Sequence, residues 1–161
     1  MELLRSLSNH LLFKQEFTSI HGVTSSVQAP TVSKTPESTD GLRKFLIVDD
    51  HAGFRKTLRA FLPPGRITEC DDGLKAVALY GTELPDWVLM DIEMDGMDGL
   101  TATRHLLHRF PQARVLFVSN HTDEAFRNAA MALGAVGFVN KQNLAELRLL
   151  IDRLDFPDRK L

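Results

Sequence analysis

One feature constrains this chain more than any other: an alternation that begins at Arg43 and continues almost to the last residue. Apolar runs of strand length occur at residues 45–48, 87–90, 115–118 and 136–139. Between them, apolar residues recur at helical spacing over residues 51–62, 74–80, 100–110, 123–133 and 144–154. Residues 66–70 alternate polar with apolar and form a weaker strand. Five strands alternating with five helices predict an α/β fold, a mainly parallel sheet with helices on both faces. Continuous apolar runs suit central strands buried on both sides, whereas residues 66–70 suit an edge. Pro63, Pro64 and Gly65 end the first helix. Asp123 stands where a cap of the fourth helix belongs, and Gly134 where that helix would close.

The first forty or so residues read differently. Leu3, Leu4, Leu7, Leu11 and Phe17 fall at helical spacing, as in a short amphipathic helix. Such a helix could dock or dimerise; a frayed extension is the plainer reading and the preferred one. Residues 21–41 are rich in Ser, Thr and Pro, the composition of a disordered linker. The expected organisation is an extension over 1–41, a folded domain over 42–157 and a short tail over 158–161.

The chemistry sits at the strand ends. Asp49 and Asp50 follow the first strand, Asp91 the third, Ser119 the fourth and Lys141 the fifth. In open parallel sheets, ligands bind outside the carboxyl ends of the strands where strand order reverses. The fold thus predicts that these five side chains converge on one rim. Three neighbouring carboxylates repel one another, and a hard, oxygen-seeking cation such as Mg2+ relieves that repulsion. The same ion, with an ammonium and a hydroxyl, forms an electrostatic cradle for a phosphoryl group. An Asp carboxylate can itself be the nucleophile and yield an acyl phosphate. Taken singly, each residue has a plainer explanation as a helix cap, a loop residue or a solvated charge. Taken together, their order along the strand ends favours the functional reading.

Composition excludes several alternatives. Nineteen basic and twenty-one acidic residues leave a formal charge of -2, against a broad nucleic-acid-binding face. One cysteine, Cys70, rules out an intrachain disulfide and a multi-cysteine zinc site. No apolar run is long enough to cross a bilayer. Glu2, Ser6, Ser8, Asn9 and His10 spoil the N-terminus as a signal peptide, so a cytoplasmic location is the default expectation. Both common glycine signatures of nucleotide sites are missing from the sequence.

Three blocks carry a family resemblance: Phe-Leu-Ile-Val-Asp-Asp-His at 45–51, Val-Leu-Met-Asp-Ile-Glu-Met-Asp-Gly-Met-Asp-Gly at 88–99, and Gly-Ala-Val-Gly-Phe-Val-Asn-Lys at 134–141. They resemble the receiver domain of bacterial two-component response regulators, over Lys44 to about Leu154. The first helix, with Phe54, Arg55 and Leu58 after His51, looks like receivers that usually precede a helix-turn-helix output domain. The resemblance implies a flavodoxin-like doubly wound sheet of order 2-1-3-4-5. It implies that Asp91 takes a phosphoryl group from a histidine kinase or phosphotransfer protein, as a switch and not an enzyme beyond self-phosphorylation and self-dephosphorylation. Asp50 would bind Mg2+ directly, Asp49 largely through water, and the backbone carbonyl of Glu93 would be a further ligand beside Asp91. Lys141 would contact the phosphoryl oxygens. Ser119 would move to hydrogen-bond the phosphorylated Asp91, and Phe138 would turn inward on activation. The face of the fourth helix, fifth strand and fifth helix would then meet a protein target or a second copy in a homodimer, with no direct contact to nucleic acid or membrane.

Two positions depart from the family pattern. Asp95 stands where proline is common, which adds charge and frees the loop, and Asn120 stands where a smaller residue is commoner. Glu93 and His121 fall at positions that tune phosphoryl lifetime in this family. With the sequence ending at Leu161, the expected output is protein–protein contact, from a stand-alone receiver or from a regulator that has lost its DNA-binding domain. Two other classes compete. A non-phosphorylated binding module would keep the fold without the chemistry. A phosphatase of the haloacid-dehalogenase type would need an Asp where Glu93 stands and a nucleophile after the first strand.

Overall fold

A computed structural model describes residues 42–121 and 123–158; the expected helix and linker at residues 1–41, and all but the first residue of the expected tail at 158–161, lie outside them. The order of elements is β1 (Arg43–Val48), α1 (Ala52–Phe61), β2 (Gly65–Cys70), α2 (Gly73–Glu83), β3 (Trp87–Met90), α3 (Gly99–Arg109), β4 (Val115–Ser119), α4 (Glu124–Ala132), β5 (Gly137–Asn140) and α5 (Ala145–Asp155). All four strand pairings are parallel, and the sheet runs β2-β1-β3-β4-β5. This is the predicted doubly wound fold, with the semi-polar strand β2 at an edge as expected.

Strand pleating sorts the apolar runs into two cores, because successive side chains point to opposite faces. Leu46, Val48, Val88, Met90 and Phe117 face α2, α3 and α4, where they meet Ala76, Tyr80, Ala102, Leu106 and Ala130. Phe45, Ile47, Trp87, Leu89, Leu116 and Val118 face α1 and α5, where they meet Leu58, Leu147 and Ile151. Central strands covered on both faces must be apolar at every position, which is why their sequence shows no alternation.

The helix ends carry the local corrections. The expected second helix stopped at Tyr80, yet α2 continues through Gly81 and Thr82 to Glu83. A helix-interior glycine costs about 1 kcal/mol relative to alanine, and tertiary packing overrides that. The helix closes instead at Leu84, in the left-handed region with φ 46° and its N–H on the Tyr80 carbonyl, just before Pro85. Asp123 does occupy the cap position of α4, but its side chain makes no capping hydrogen bond. Gly134 has φ +100°. Its N–H donates to Met131 O and that of Ala135 to Ala130 O, the two bonds of a Schellman closure that requires a left-handed residue.

Candidate functional site

The sheet ladder runs one residue past several strands, and those residues are the chemically interesting ones. Asp49 N–H donates to Cys70 O on β2, Asp91 N–H to Val48 O on β1, and Lys141 N–H to Ser119 O on β4. Each backbone is therefore held as firmly as the strand before it, while each side chain leaves the sheet at its carboxyl edge. Because β1 and β3 are neighbours where strand order reverses, Asp49, Asp50 and Asp91 come together, with carboxylate oxygens within 4.8 Å of one another.

Lys141 arrives from β5 and bridges the two buried carboxylates, with Nζ 2.7 Å from Asp49 Oδ2 and 2.6 Å from Asp91 Oδ2. The other Asp91 oxygen accepts the Ile92 N–H at 2.8 Å. Burial pushes the Asp91 carboxyl above the usual carboxylate range, and the Asp49 charge adds to this; Lys141 opposes but does not cancel it. Burial pulls the Lys141 ammonium down, but its hydrogen bonds and charge pairing with both carboxylates outweigh that and hold it above the ordinary lysine value. The lysine is thus a fixed cation between two acids. Three carboxylates facing one ammonium leave the cluster short of positive charge. Its donors are all hard oxygens, the set that suits Mg2+. Asp49, Asp50 and Asp91 fit such an ion, which would share Asp49 and Asp91 with the lysine.

The loop from β3 to α3 closes over this edge. Gly99 N–H donates to Ile92 O at 2.9 Å, Gly96 takes φ +83°, and Asp98 caps α3 through the Thr101 N–H. Asp95 does more than free the loop. Its N–H donates to Asp50 Oδ2 at 3.2 Å, a bond that proline at this position could not make. Glu93 lines the same pocket as Asp50, Asp91 and Lys141. Its carboxylate lies 2.9 Å from His121 Nε2, off the line a hydrogen bond needs. The His121 ring stacks on Phe126 with centroids 3.9 Å apart. Ser119 is buried beside the cluster, where its Oγ accepts the His121 N–H at 3.3 Å, and Asn120 stands exposed at the pocket wall. Phe138 is buried in the core, with the Arg127 guanidinium 5.0 Å from its ring centroid.

Sequence reasoning missed three contributors on α1. The His51 imidazole caps that helix, with Nδ1 accepting the Phe54 N–H at 3.0 Å. Arg55 reaches back to the carbonyls of Asp49, at 2.6 Å, and Asp50, at 3.3 Å, while its Nε pairs with Glu69. It thereby fixes the backbone that presents the two acids. Phe54 was read as an apolar position of the first helix and as part of the family resemblance, yet its ring lies beneath the Lys141 ammonium. Their sequence signals were adjacency to the Asp49–Asp50 pair in the first turn of a helix and membership of the pattern that resembles receivers preceding a helix-turn-helix domain, neither of which gave their roles at the site.

Comparison with known proteins accords with this geometry. Residues 45–152 match the family described as the response regulator receiver domain. Over 100 residues the chain is 41% identical to the transcriptional activator protein ExaE of Pseudomonas putida, which covers 60% of this chain and 47% of that protein. It resembles the crystal structure of a LuxR-family two-component response regulator from Aurantimonas sp. SI85-9A1, with TM-score 0.68, 32% identity, and 74% of this chain and 89% of that chain covered. It also resembles a chain of the CheX–CheY–BeF3–Mg2+ complex from Borrelia burgdorferi, with TM-score 0.67, 27% identity, and 72% and 92% covered. The chain belongs to the response regulator receiver domain family, in which phosphorylation on an aspartate operates a signalling switch and an acidic cluster binds Mg2+. It spans about half the length of the curated relatives it matches. Among the described residues, no helix is long and apolar enough to cross a membrane.

Proposed function

We propose that residues 42–157 form a receiver switch in which Asp91 is the phosphoacceptor. The observation that carries this reading is the Asp91 carboxylate, held at the β3 terminus against the Lys141 ammonium and within 4.8 Å of the Asp49 and Asp50 carboxylates. A carboxylate oxygen of Asp91 attacks the phosphorus of a phosphohistidine on a histidine kinase or phosphotransfer protein. The new O–P bond makes an acyl phosphate as the P–N bond breaks, and the leaving imidazole takes up a proton. Lys141 contacts the phosphoryl oxygens and stabilises charge there. Asp49, Asp50, Asp91 and the backbone carbonyl of Glu93 are the residues that would hold Mg2+. Bound there, the ion neutralises carboxylate and phosphoryl charge together. The relative solved as a CheX–CheY–BeF3–Mg2+ complex supports the choice of cation.

Added phosphate brings charge and strong acceptors to an edge where Ser119 is already buried alongside. Ser119 leaves the His121 N–H and donates its hydroxyl to the phosphoryl group. Phe138, on the next strand, is already buried, so the expected inward turn is not open to it from this conformation; it responds by shifting within the core, and the face of α4, β5 and α5 changes shape. That face meets a protein target or a second copy of the chain. Asp50, Asp91, Ser119 and Lys141 are all present, which disfavours a module kept for contact alone.

The test is intact-mass measurement after incubation with acetyl phosphate and Mg2+. A labile adduct of one phosphate is expected in the parent and none in Asp91→Asn or without Mg2+. A folded parent that stays unlabelled, beside a known receiver that is labelled, overturns the reading in favour of the non-phosphorylated module.

A further inference from the structure

Among the described residues, the ammonium of Lys141 meets two acids and one aromatic ring. The ring is that of Phe54 on α1, whose centroid lies 4.4 Å from Nζ. A cation over an aromatic face is attracted by the negative face of the ring. Phe54 is well placed to act as a fixed platform. Its N–H is held by both the carbonyl and the imidazole of His51, and its ring packs against the core formed by β1, β3, β4, α1 and α5. It lines the same pocket as Asp50, Asp91, Ser119 and Lys141.

The neutral partner differs from the acids in one respect that bears on phosphoryl transfer. Asp49 and Asp91 are also the carboxylates that a divalent cation would engage, so their hold on the lysine weakens when one binds. The lysine backbone is pinned through its N–H to Ser119 O, but four rotatable bonds separate that backbone from the charge. An aromatic face neither ligates Mg2+ nor titrates, so its attraction for the ammonium persists. We propose that Phe54 is a positioning residue for Lys141, its ring face keeping the ammonium at the pocket wall where a phosphoryl oxygen arrives. This rests on the assignment of Asp91 and Lys141 made above.

The experiment separates ring electronics from ring shape. In the full chain, Phe54 is replaced by leucine (Phe54→Leu), by tryptophan (Phe54→Trp), and by a fluorinated phenylalanine of similar shape whose face has lost its negative charge. The rate of Asp91 labelling by acetyl phosphate at saturating Mg2+ is measured for each, and unfolding midpoints check that each variant folds. Labelling is expected to slow roughly threefold to thirtyfold with leucine and with the fluorinated ring, and tryptophan should recover most of the rate lost with leucine. A second readout needs no phosphate and no metal: the side-chain methylene resonance of Lys141, assigned with Lys141→Arg, should be displaced upfield by the ring in the parent and return in Phe54→Leu. A fluorinated ring that labels at the parent rate overturns the proposal, because packing alone would then suffice. An undisplaced lysine resonance in the parent overturns it as well. A parent that takes no phosphate instead overturns the assignment of Asp91, and the lysine resonance still decides the contact.

Discussion

Gly99 lies directly against the backbone of Asp91, so closely that a methyl group added to it would overlap the Asp91 carbonyl oxygen. The first residue of α3 is thus a spacer that lets the helix start beneath the acceptor loop. In Gly99→Ala the loop or the helix must shift, and overpacking of this kind costs about 1–3 kcal/mol. Urea unfolding should show that loss, and labelling of Asp91 should slow because the carboxylate moves with its carbonyl. Stability equal to the parent would mean that the turn yields freely.

Mg2+ should stabilise the folded chain. A ligand that binds only the native state at a hundred times its Kd adds about 2.7 kcal/mol, and its removal by a chelator reverses the gain. Asp50→Asn should abolish most of the effect, since one of three carboxylates loses its charge. The asparagine side-chain oxygen still accepts the Asp95 N–H, so the loop keeps its tie. Thermal unfolding with Mg2+ and with excess chelator provides the comparison; an undiminished gain in Asp50→Asn would place the ion elsewhere.

The cap of α1 is a histidine, an unusual choice. His51 Nδ1 accepts the Phe54 N–H, and so sets the start of the helix that carries Phe54 and Arg55. Loss of a side-chain cap costs about 1 kcal/mol. His51→Ala should therefore destabilise by that amount, whereas His51→Asn, which restores an acceptor, should recover most of it. Denaturant midpoints of the two variants settle the point, and equal losses would count against capping.

Cys70 ends β2 in the core, and burial pushes its thiol from 9.0 up to about 11, with the Asp71 and Asp72 charges adding to the effect and a backbone hydrogen bond at Asp72 and the Lys75 charge opposing it. The native thiol should resist thiol reagents near neutral pH, and react only when denaturant unfolds the chain. Between pH about 9 and about 11 the unfolded chain loses this proton while the folded chain keeps it, so this contribution to stability is present below pH 9 and declines as pH rises through that window. Comparison of parent and Cys70→Ala over that range isolates it; rapid labelling of the native protein would contradict the burial.

Much of this was legible without coordinates. The apolar runs announce buried strands, because a strand covered on both faces admits no polar alternation, and Asp49, Asp50, Asp91, Ser119 and Lys141 could be placed at one edge by topology alone. Element ends were less legible. The helical spacing ends at Tyr80 but α2 runs on through Gly81 to Glu83, since burial of Ala76 and Tyr80 carries the helix past the apolar pattern. Asp123 sits at the cap position but its side chain does not cap, because residue type sets a preference and local geometry decides whether the bond forms.

What the sequence by itself determined is therefore the alternation, the two-sided core and the rim on which the charged residues meet. All three follow from local periodicity and the handedness of parallel connections. Only the tertiary structure decided the partners within that rim. Lys141 bridging Asp49 and Asp91, Arg55 on the carbonyls of Asp49 and Asp50, Asp95 N–H on Asp50, and Phe54 under Lys141 all depend on side-chain directions and loop backbones. Most join segments distant in the chain, and a hydrogen bond or an aromatic contact is made or lost within about an ångström. A one-dimensional pattern fixes which strand end a residue leaves from, but not its position to that tolerance.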